Sequence, residues 1–206
     1  MDGGVGTAVE AANEEIERTE IELASEVSVD TVAPLIAAFE SAESGVLIRL
    51  YIKHNGGGDV AQLFMLITAI ARTKATVEIT FGRYIMSAAA TLWLWFLVWP
   101  VPHVKSLMPV KHGVLMYHRP RQSCGENSDY YCFAESFRDG DPVKESLLQM
   151  IEIFDELFED FLERLGWSAM TDASLVIEDV GYTHRLQHLK EAYYSNKDCV
   201  IPVFPV

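Results

Sequence analysis

The stretch "GVLIRLYIKHNGGGDVAQLFMLITAIART" (45–73) joins two different hydrophobic patterns through three consecutive glycines. Residues 45–53 are rich in β-branched side chains and alternate partly between apolar and polar positions, which predicts a strand. Between 59 and 73 the apolar residues recur at helical spacing and mark one face of a predicted helix. That face consists of Val60, Leu63, Phe64, Ile67, Ile70 and Ala71. A strand that enters a helix through a glycine turn is typical of an α/β fold.

The same alternation continues on both sides of this stretch. Further strands are predicted at 19–27, 76–81 and 113–118, and further helices at 28–44, 88–98 and 142–165. The long last helix has Asp141 as its cap and Pro142 in its first turn, and its wide apolar stripe indicates burial against a partner as much as within the chain. Residues 119–141 are rich in turn-forming residues and are predicted to form a long loop. We therefore expect a flexible arm at 1–18 followed by one α/β domain at 19–206.

The chain is strongly acidic, with 30 acidic and 16 basic residues and a formal net charge of −14. Such a charge repels phosphate backbones and anionic lipid, so we expect neither nucleic acid nor a membrane as the main partner. The cysteines Cys124, Cys132 and Cys199 match no zinc-ligand spacing and no disulfide framework, and no metal or cofactor is expected. A reducing cytoplasm is the expected location, with a Cys124–Cys132 disulfide as the alternative.

One apolar run raises the question of membrane insertion. From Ile85 to Val101 only Ser87 and Thr91 are polar. This run is shorter than the roughly 20 apolar residues that span a bilayer, and it lacks a basic cluster at its flanks. Two prolines at its end stop the helix. We expect a buried helix in an oligomeric core, and a membrane-anchored protein is the alternative.

Three segments carry residues suited to amide hydrolysis, which needs a nucleophile, a base and donors for the oxyanion. The backbone N–H groups of Gly57 and Gly58, between a strand and a helix, can point outward without a side chain in the way. Ser87 follows a strand and opens a helix, beside the N–H of Ala88. His118 ends a strand, from which its imidazole can reach a neighbouring loop. Each feature alone also has an ordinary structural explanation: a flexible turn, a helix cap, or a hydrogen-bonded histidine.

The ordered combination resembles the proteolytic subunit of the Clp protease (ClpP) and its serine-peptidase relatives. "NGGGDV" (55–60) is similar to the family turn Ser-Pro-Gly-Gly-Ser-Val, "GRYIMSAAATL" (82–92) to the nucleophile segment, and "VLMYHRP" (114–120) to the segment of the base. The similarity covers roughly residues 20–190 in the correct order. This chain departs from the family in having Gly56 where the family has proline, and in the longer spacing between Gly82 and the serine.

The resemblance implies a fold of repeated β-β-α units with a protruding handle helix at about 142–165. It also implies a serine endopeptidase with Ser87 as nucleophile, His118 as base, and Gly57, Gly58 and Ala88 as the oxyanion hole. The orienting acid of the family falls near Asp179, although a stricter count falls near His184. The implied partners are copies of the chain or related subunits in a ring, an AAA+ unfoldase, and unfolded polypeptide as substrate.

Other functions remain open at this point. An inactive ring subunit of the same fold would need no complete triad. An acyl-CoA hydratase or isomerase would use the same backbone oxyanion hole without a serine nucleophile. A Ser–Lys peptidase would use Lys53 or Lys144 as its base.

Overall fold

A computed structural model describes residues 17–125, 130–164 and 180–203 of the chain. It has an α/β architecture in which strands alternate with helices. The strands are β1 (Arg18–Ala24), β2 (Leu47–Lys53), β3 (Thr76–Phe81), β4 (Tyr84–Met86), β5 (Val104–Ser106), β6 (Gly113–Tyr117), β7 (Gln122–Cys124), β8 (Tyr130–Cys132) and β9 (Cys199–Val203). The helices are α1 (Val29–Ser41), α2 (Val60–Arg72), α3 (Ser87–Val98), α4 (Pro142–Arg164) and α5 (Val180–Tyr194).

The first sheet is parallel and has the order β1-β2-β3-β5. Alternate residues of β2 and β3 are fully buried, as the half-alternating sequence predicts, and α1 and α2 contact each other. The predicted strand at 76–81 is confirmed at both ends, and the predicted helix at 59–73 is confirmed to within a residue.

The second sheet has the order β4-β6-β9, with β4 and β6 parallel and β9 antiparallel. Two isolated parallel bridges extend it beyond β4. Asn55 pairs with Ile85, and Gly58 pairs with Val27. The glycine loop that follows β2 therefore lies beside β4, on the side opposite to β6.

Helix α3 lies in the core between these elements. Ala88, Ala89, Ala90, Leu92 and Leu94 are fully buried, and the indole of Trp93 donates to the carbonyl oxygen of Leu107. This agrees with the expectation of a buried helix. Over the residues that the structure describes, no helix has both the length and the apolar character needed to cross a bilayer.

The apolar stripe of α4 packs within the chain. Its six buried residues are Leu147, Phe154, Leu157, Phe158, Phe161 and Leu162. Tyr117 of β6 and Tyr193 of α5 stack against this stripe, with ring centroids of Phe158 and Tyr193 4.0 Å apart. The predicted cap is confirmed, since the carboxylate of Asp141 accepts a hydrogen bond from the N–H of Val143 at 2.9 Å. Intramolecular burial thus accounts for most of the stripe, and only Val143, Leu148 and Ile153 are exposed large hydrophobics on α4.

The prediction of a loop across 119–141 is wrong in part. Residues 122–124 and 130–132 form a short antiparallel hairpin, in which Ser123 faces Tyr131. Strands of three residues are too short to show a periodic pattern. The apolar tail also forms a strand, β9, which tolerates Pro202 because it lies at the edge of its sheet.

Candidate active site

The glycine loop is held between two strand extensions. On one side the N–H of Val27 donates to the carbonyl of Gly57 at 2.7 Å, and the N–H of Asp59 donates to the carbonyl of Val27 at 2.8 Å. On the other side the N–H of Met86 donates to the carbonyl of Asn55 at 2.9 Å. The loop is therefore a fixed part of the second sheet, immediately next to Ser87.

Ser87 lies at the sharp junction between β4 and α3. Its φ angle is +52°, a left-handed conformation that costs a residue with a Cβ about 1–3 kcal/mol. Ser25 and His54 share a positive φ at the ends of β1 and β2, so the value alone does not mark a site. Ser87 differs from these two residues because its strained turn begins a buried helix and packs against a glycine.

The glycine is Gly57, and its surroundings leave no room for a side chain at this position. A methyl group added at Gly57 would overlap the Cβ of Ser87 and would lie 2.8 Å from the carbonyl oxygen of Met86. Its φ of +91° is also unfavourable for any other residue. The close approach of the two backbones therefore depends on glycine at this position.

The loop amides have different partners. The N–H of Gly57 donates to Oδ1 of the buried Asn55 side chain at 2.9 Å, and that of Gly56 donates to the carbonyl of Ser25. The N–H of the exposed Gly58 has no hydrogen-bond partner among the described residues. The first N–H groups of α3, including that of Ala88, lie where a helix leaves its donors unpaired. Of the three expected oxyanion donors, Gly58 is exposed with an N–H that is unpaired among the described residues, the N–H of Gly57 is bound to Asn55, and Ala88 is fully buried.

His118 lies on the other side of Ser87. The parallel ladder pairs Met86, the last residue of β4, with Met116 of β6, so Ser87 directly follows the ladder on one strand and His118 follows it two residues later on the other. Neighbouring strands are about 4.8 Å apart, and both residues follow the carboxyl ends of their strands. The lateral order at this sheet end is therefore glycine loop, Ser87, His118.

His118 is 6% exposed, and its ring makes a hydrogen bond through Nδ1. Nδ1 lies 2.7 Å from the carbonyl oxygen of Arg119, which can only accept, so Nδ1 carries the proton. In the neutral ring this leaves Nε2 with a lone pair. Burial lowers the pKa of His118 below its ordinary value, which favours this neutral, basic form near pH 7.

The residues on either side of His118 are anchored to the helices. The hydroxyl of the buried Tyr117 donates to the carbonyl of Phe154 at 3.1 Å. The guanidinium of Arg119 donates to Asp155 at 2.9 Å and lies 4.8 Å from the ring centre of Tyr194. These contacts restrict the backbone on which His118 is carried.

In this structure no hydrogen bond joins the Ser87 hydroxyl to the His118 ring, and no carboxylate of the described residues binds Nδ1. Catalytic hydrogen bonds commonly tighten only when substrate binds. Lys53 pairs with Glu22 at 3.4 Å and Lys144 with Asp139, which leaves both lysines engaged elsewhere. Asp179 lies outside the described residues, as does the side chain of His184. Across the described ranges, no three His, Cys, Asp or Glu side chains group in a way that could hold a metal ion.

Sequence reasoning missed two features beside this site. Asn55 is fully buried, and its amide oxygen stabilises the glycine loop by accepting a hydrogen bond from the N–H of Gly57. Asp198 lies just before β9 and pairs with Arg121 at 3.2 Å. Asn55 precedes the glycines directly and so could have been noticed, whereas nothing local in the sequence relates Asp198 to His118.

No family model and no curated protein sequence matches this chain.

Proposed function

We propose that the chain is a serine-type endopeptidase subunit of the ClpP-like class, with Ser87 as nucleophile and His118 as base. The observation that carries this proposal is the strained β4–α3 turn at Ser87, which lies between the glycine loop and β6, the strand that His118 directly follows. Strain at a polar residue beside unpaired backbone donors is typical of a nucleophile turn.

The proposed reaction is acyl transfer in two steps. Nε2 of His118 takes the Ser87 proton while Oγ attacks the peptide carbonyl carbon, and the N–H groups of Gly58 and Ala88 stabilise the oxyanion. The proton then passes to the leaving amine as the C–N bond breaks, which leaves an acyl-serine. Water attacks this ester, His118 accepts the water proton, and the same proton returns to Oγ as the product acid leaves.

A local rearrangement is required before the first step, because Ser87 and His118 share no hydrogen bond here and the N–H of Ala88 is buried. Serine hydroxyls change rotamer readily, and Ser87 is only partly buried. The neutral Nε2 of His118 is then the acceptor.

The experiment is labelling with a fluorophosphonate followed by peptide mass spectrometry. We expect one adduct, on Ser87, and its loss in Ser87→Ala. His118→Gln should slow labelling by at least about 10²-fold, since general-base catalysis contributes that much. The control is Ser25→Ala, a second serine at positive φ, which should label at the wild-type rate. Labelling that survives in Ser87→Ala, or an unlabelled wild-type chain, would reject the proposal.

We further propose that the subunit works in a ring of its own or related subunits, supplied with unfolded polypeptide by an AAA+ unfoldase. An open groove lies between α1 and α2, and its lining includes Ile36, Phe64 and the half-exposed Met65. Exposed apolar side chains of this kind support binding of another protein chain. The three cysteines are free thiols, which suits a reducing compartment such as the cytoplasm.

A catalytically inactive ring subunit is the second candidate. The observation that favours it is the hydrogen bond of Nδ1 of His118 to a main-chain carbonyl, where an active triad has a carboxylate. This alternative predicts ring assembly with no adduct on Ser87.

A further inference from the structure

We propose that Asp198 is the positioning carboxylate for His118, an inference that rests on the proposed function. The antiparallel ladder of β6 and β9 pairs Tyr117 with Cys199. Continued by one residue, the same register brings His118 opposite Asp198. Residues that face each other across antiparallel strands project to the same side of the sheet, with Cβ atoms about 4.5–5.5 Å apart.

The four chemical groups then follow one another across the sheet. The glycine loop lies beside β4, Ser87 follows β4, His118 follows β6, and Asp198 precedes β9. Because β9 is antiparallel to β6, the start of β9 lies at the same sheet end as the end of β6. This is the lateral order of oxyanion donors, nucleophile, base and acid that a serine hydrolase needs.

Among the described residues, two charged side chains act on the imidazole, Asp198 from just before β9 and Arg121 from just before β7. Arg119 is its neighbour in the chain. Asp155 of α4 neutralises Arg119, and Arg121 binds Asp198 at 3.2 Å while its guanidinium lies 4.1 Å from the ring centre of Tyr131. The negative charge of Asp198 raises the pKa of His118, and the positive charge of Arg121 lowers it.

The role of Asp198 follows from the direction of its effect on the pKa of His118. When His118 takes the Ser87 proton, the imidazolium becomes cationic in a buried place, and a nearby carboxylate stabilises it. Arg121, which pairs with the same carboxylate, contributes a positive charge with the opposite effect on His118. Asp198 therefore acts through His118 and does not touch the substrate.

Two variants with opposite expected effects test the inference. In protein labelled with ¹³C at histidine Cε1, NMR titration of His118 should give a pKa about 0.5–1 pH unit lower in Asp198→Asn and higher by a similar amount in Arg121→Gln. The rate of fluorophosphonate labelling of Ser87 at pH 8 should fall in Asp198→Asn, because a less basic imidazole accepts the serine proton less readily, and Asp198→Glu should recover part of it.

The control is Asp139→Asn, which removes an acid paired with Lys144 and should change neither readout. Unfolding midpoints of all variants separate a folding defect from a charge effect, because a purely structural role cannot shift the pKa in opposite directions. Identical His118 titrations in wild type, Asp198→Asn and Arg121→Gln would overturn the inference. The titration needs no activity, so an unlabelled Ser87 would count against the proposed function while the NMR result still decides whether Asp198 acts on His118.

Discussion

Ser87 adopts a left-handed backbone conformation although it carries a Cβ, and Gly57 is the residue that makes room for it. Asn55 in turn fixes Gly57 through its amide oxygen. The amide nitrogen of Asn55 is buried without a partner among the described residues, which costs free energy unless a water binds there. At the scale of single residues, the site is thus an arrangement of backbone that tolerates very few substitutions.

Gly57→Ala should abolish Ser87 labelling and lower the free energy of unfolding by about 2–4 kcal/mol, because the methyl group overlaps Ser87 and the positive φ disfavours alanine. Urea unfolding and the labelling rate measure the two effects. Gly56→Ala is the matched control, since a Cβ at Gly56 meets no atom within 4 Å, and its stability should stay within about 0.5 kcal/mol of wild type. Equal behaviour of the two variants would mean that the close contact of Gly57 and Ser87 does not exist in solution.

Helix α4 and strand β6 restrict the position of His118. Tyr117 is stacked between α4 and α5 through Phe154, Phe158 and Tyr193. The residues that flank His118 are thereby anchored to a packed aromatic cluster. Helix α4 thus helps to fix the end of β6 within the chain.

Leu157→Ala should lower the free energy of unfolding by about 2–5 kcal/mol, because Leu157 is fully buried and its truncation leaves a cavity. The same substitution at Leu148, on the same helix but 44% exposed, should cost about 0.5 kcal/mol or less in the isolated subunit. Urea unfolding followed by tryptophan fluorescence measures both. A large loss for Leu148→Ala would instead indicate that this side of α4 is covered by another subunit.

At the scale of the whole molecule, the charge and the exposed apolar residues act in opposite directions. A net charge of −14 keeps copies of the chain apart, while exposed side chains such as Val110, Val200 and Met65 favour association. Salt screens the repulsion between copies over a Debye length of about 8–10 Å.

Native mass measurement should therefore give assemblies that are multiples of the 23.1 kDa subunit, with a larger assembled fraction at about 0.3 M than at about 0.05 M salt. Light scattering in solution provides an independent mass. Ser87→Ala should assemble like wild type, since Ser87 lies inside the subunit fold. A single mass of 23.1 kDa at both salt concentrations would contradict the ring.

The alternation of strands and helices follows from the sequence by itself, because the periods of 2 and 3.6 are local properties of the chain. Local patterns of glycine, small residues and strand ends also predict Ser87 and His118 as candidate site residues. The hairpin at 122–132 and strand β9 were missed, because their pairing depends on residues far apart or on strands too short to show a period.

Which groups lie together at one sheet end depends on strand pairing. The bridge of Asn55 to Ile85, the register of Met86 with Met116 and that of Tyr117 with Cys199 arrange the glycine loop, Ser87, His118 and Asp198 in order. Register is set by the burial of whole strand faces against the core, which no short segment of sequence specifies. For that reason the acid expected near Asp179 by sequence order has a competitor, Asp198, that only strand pairing reveals.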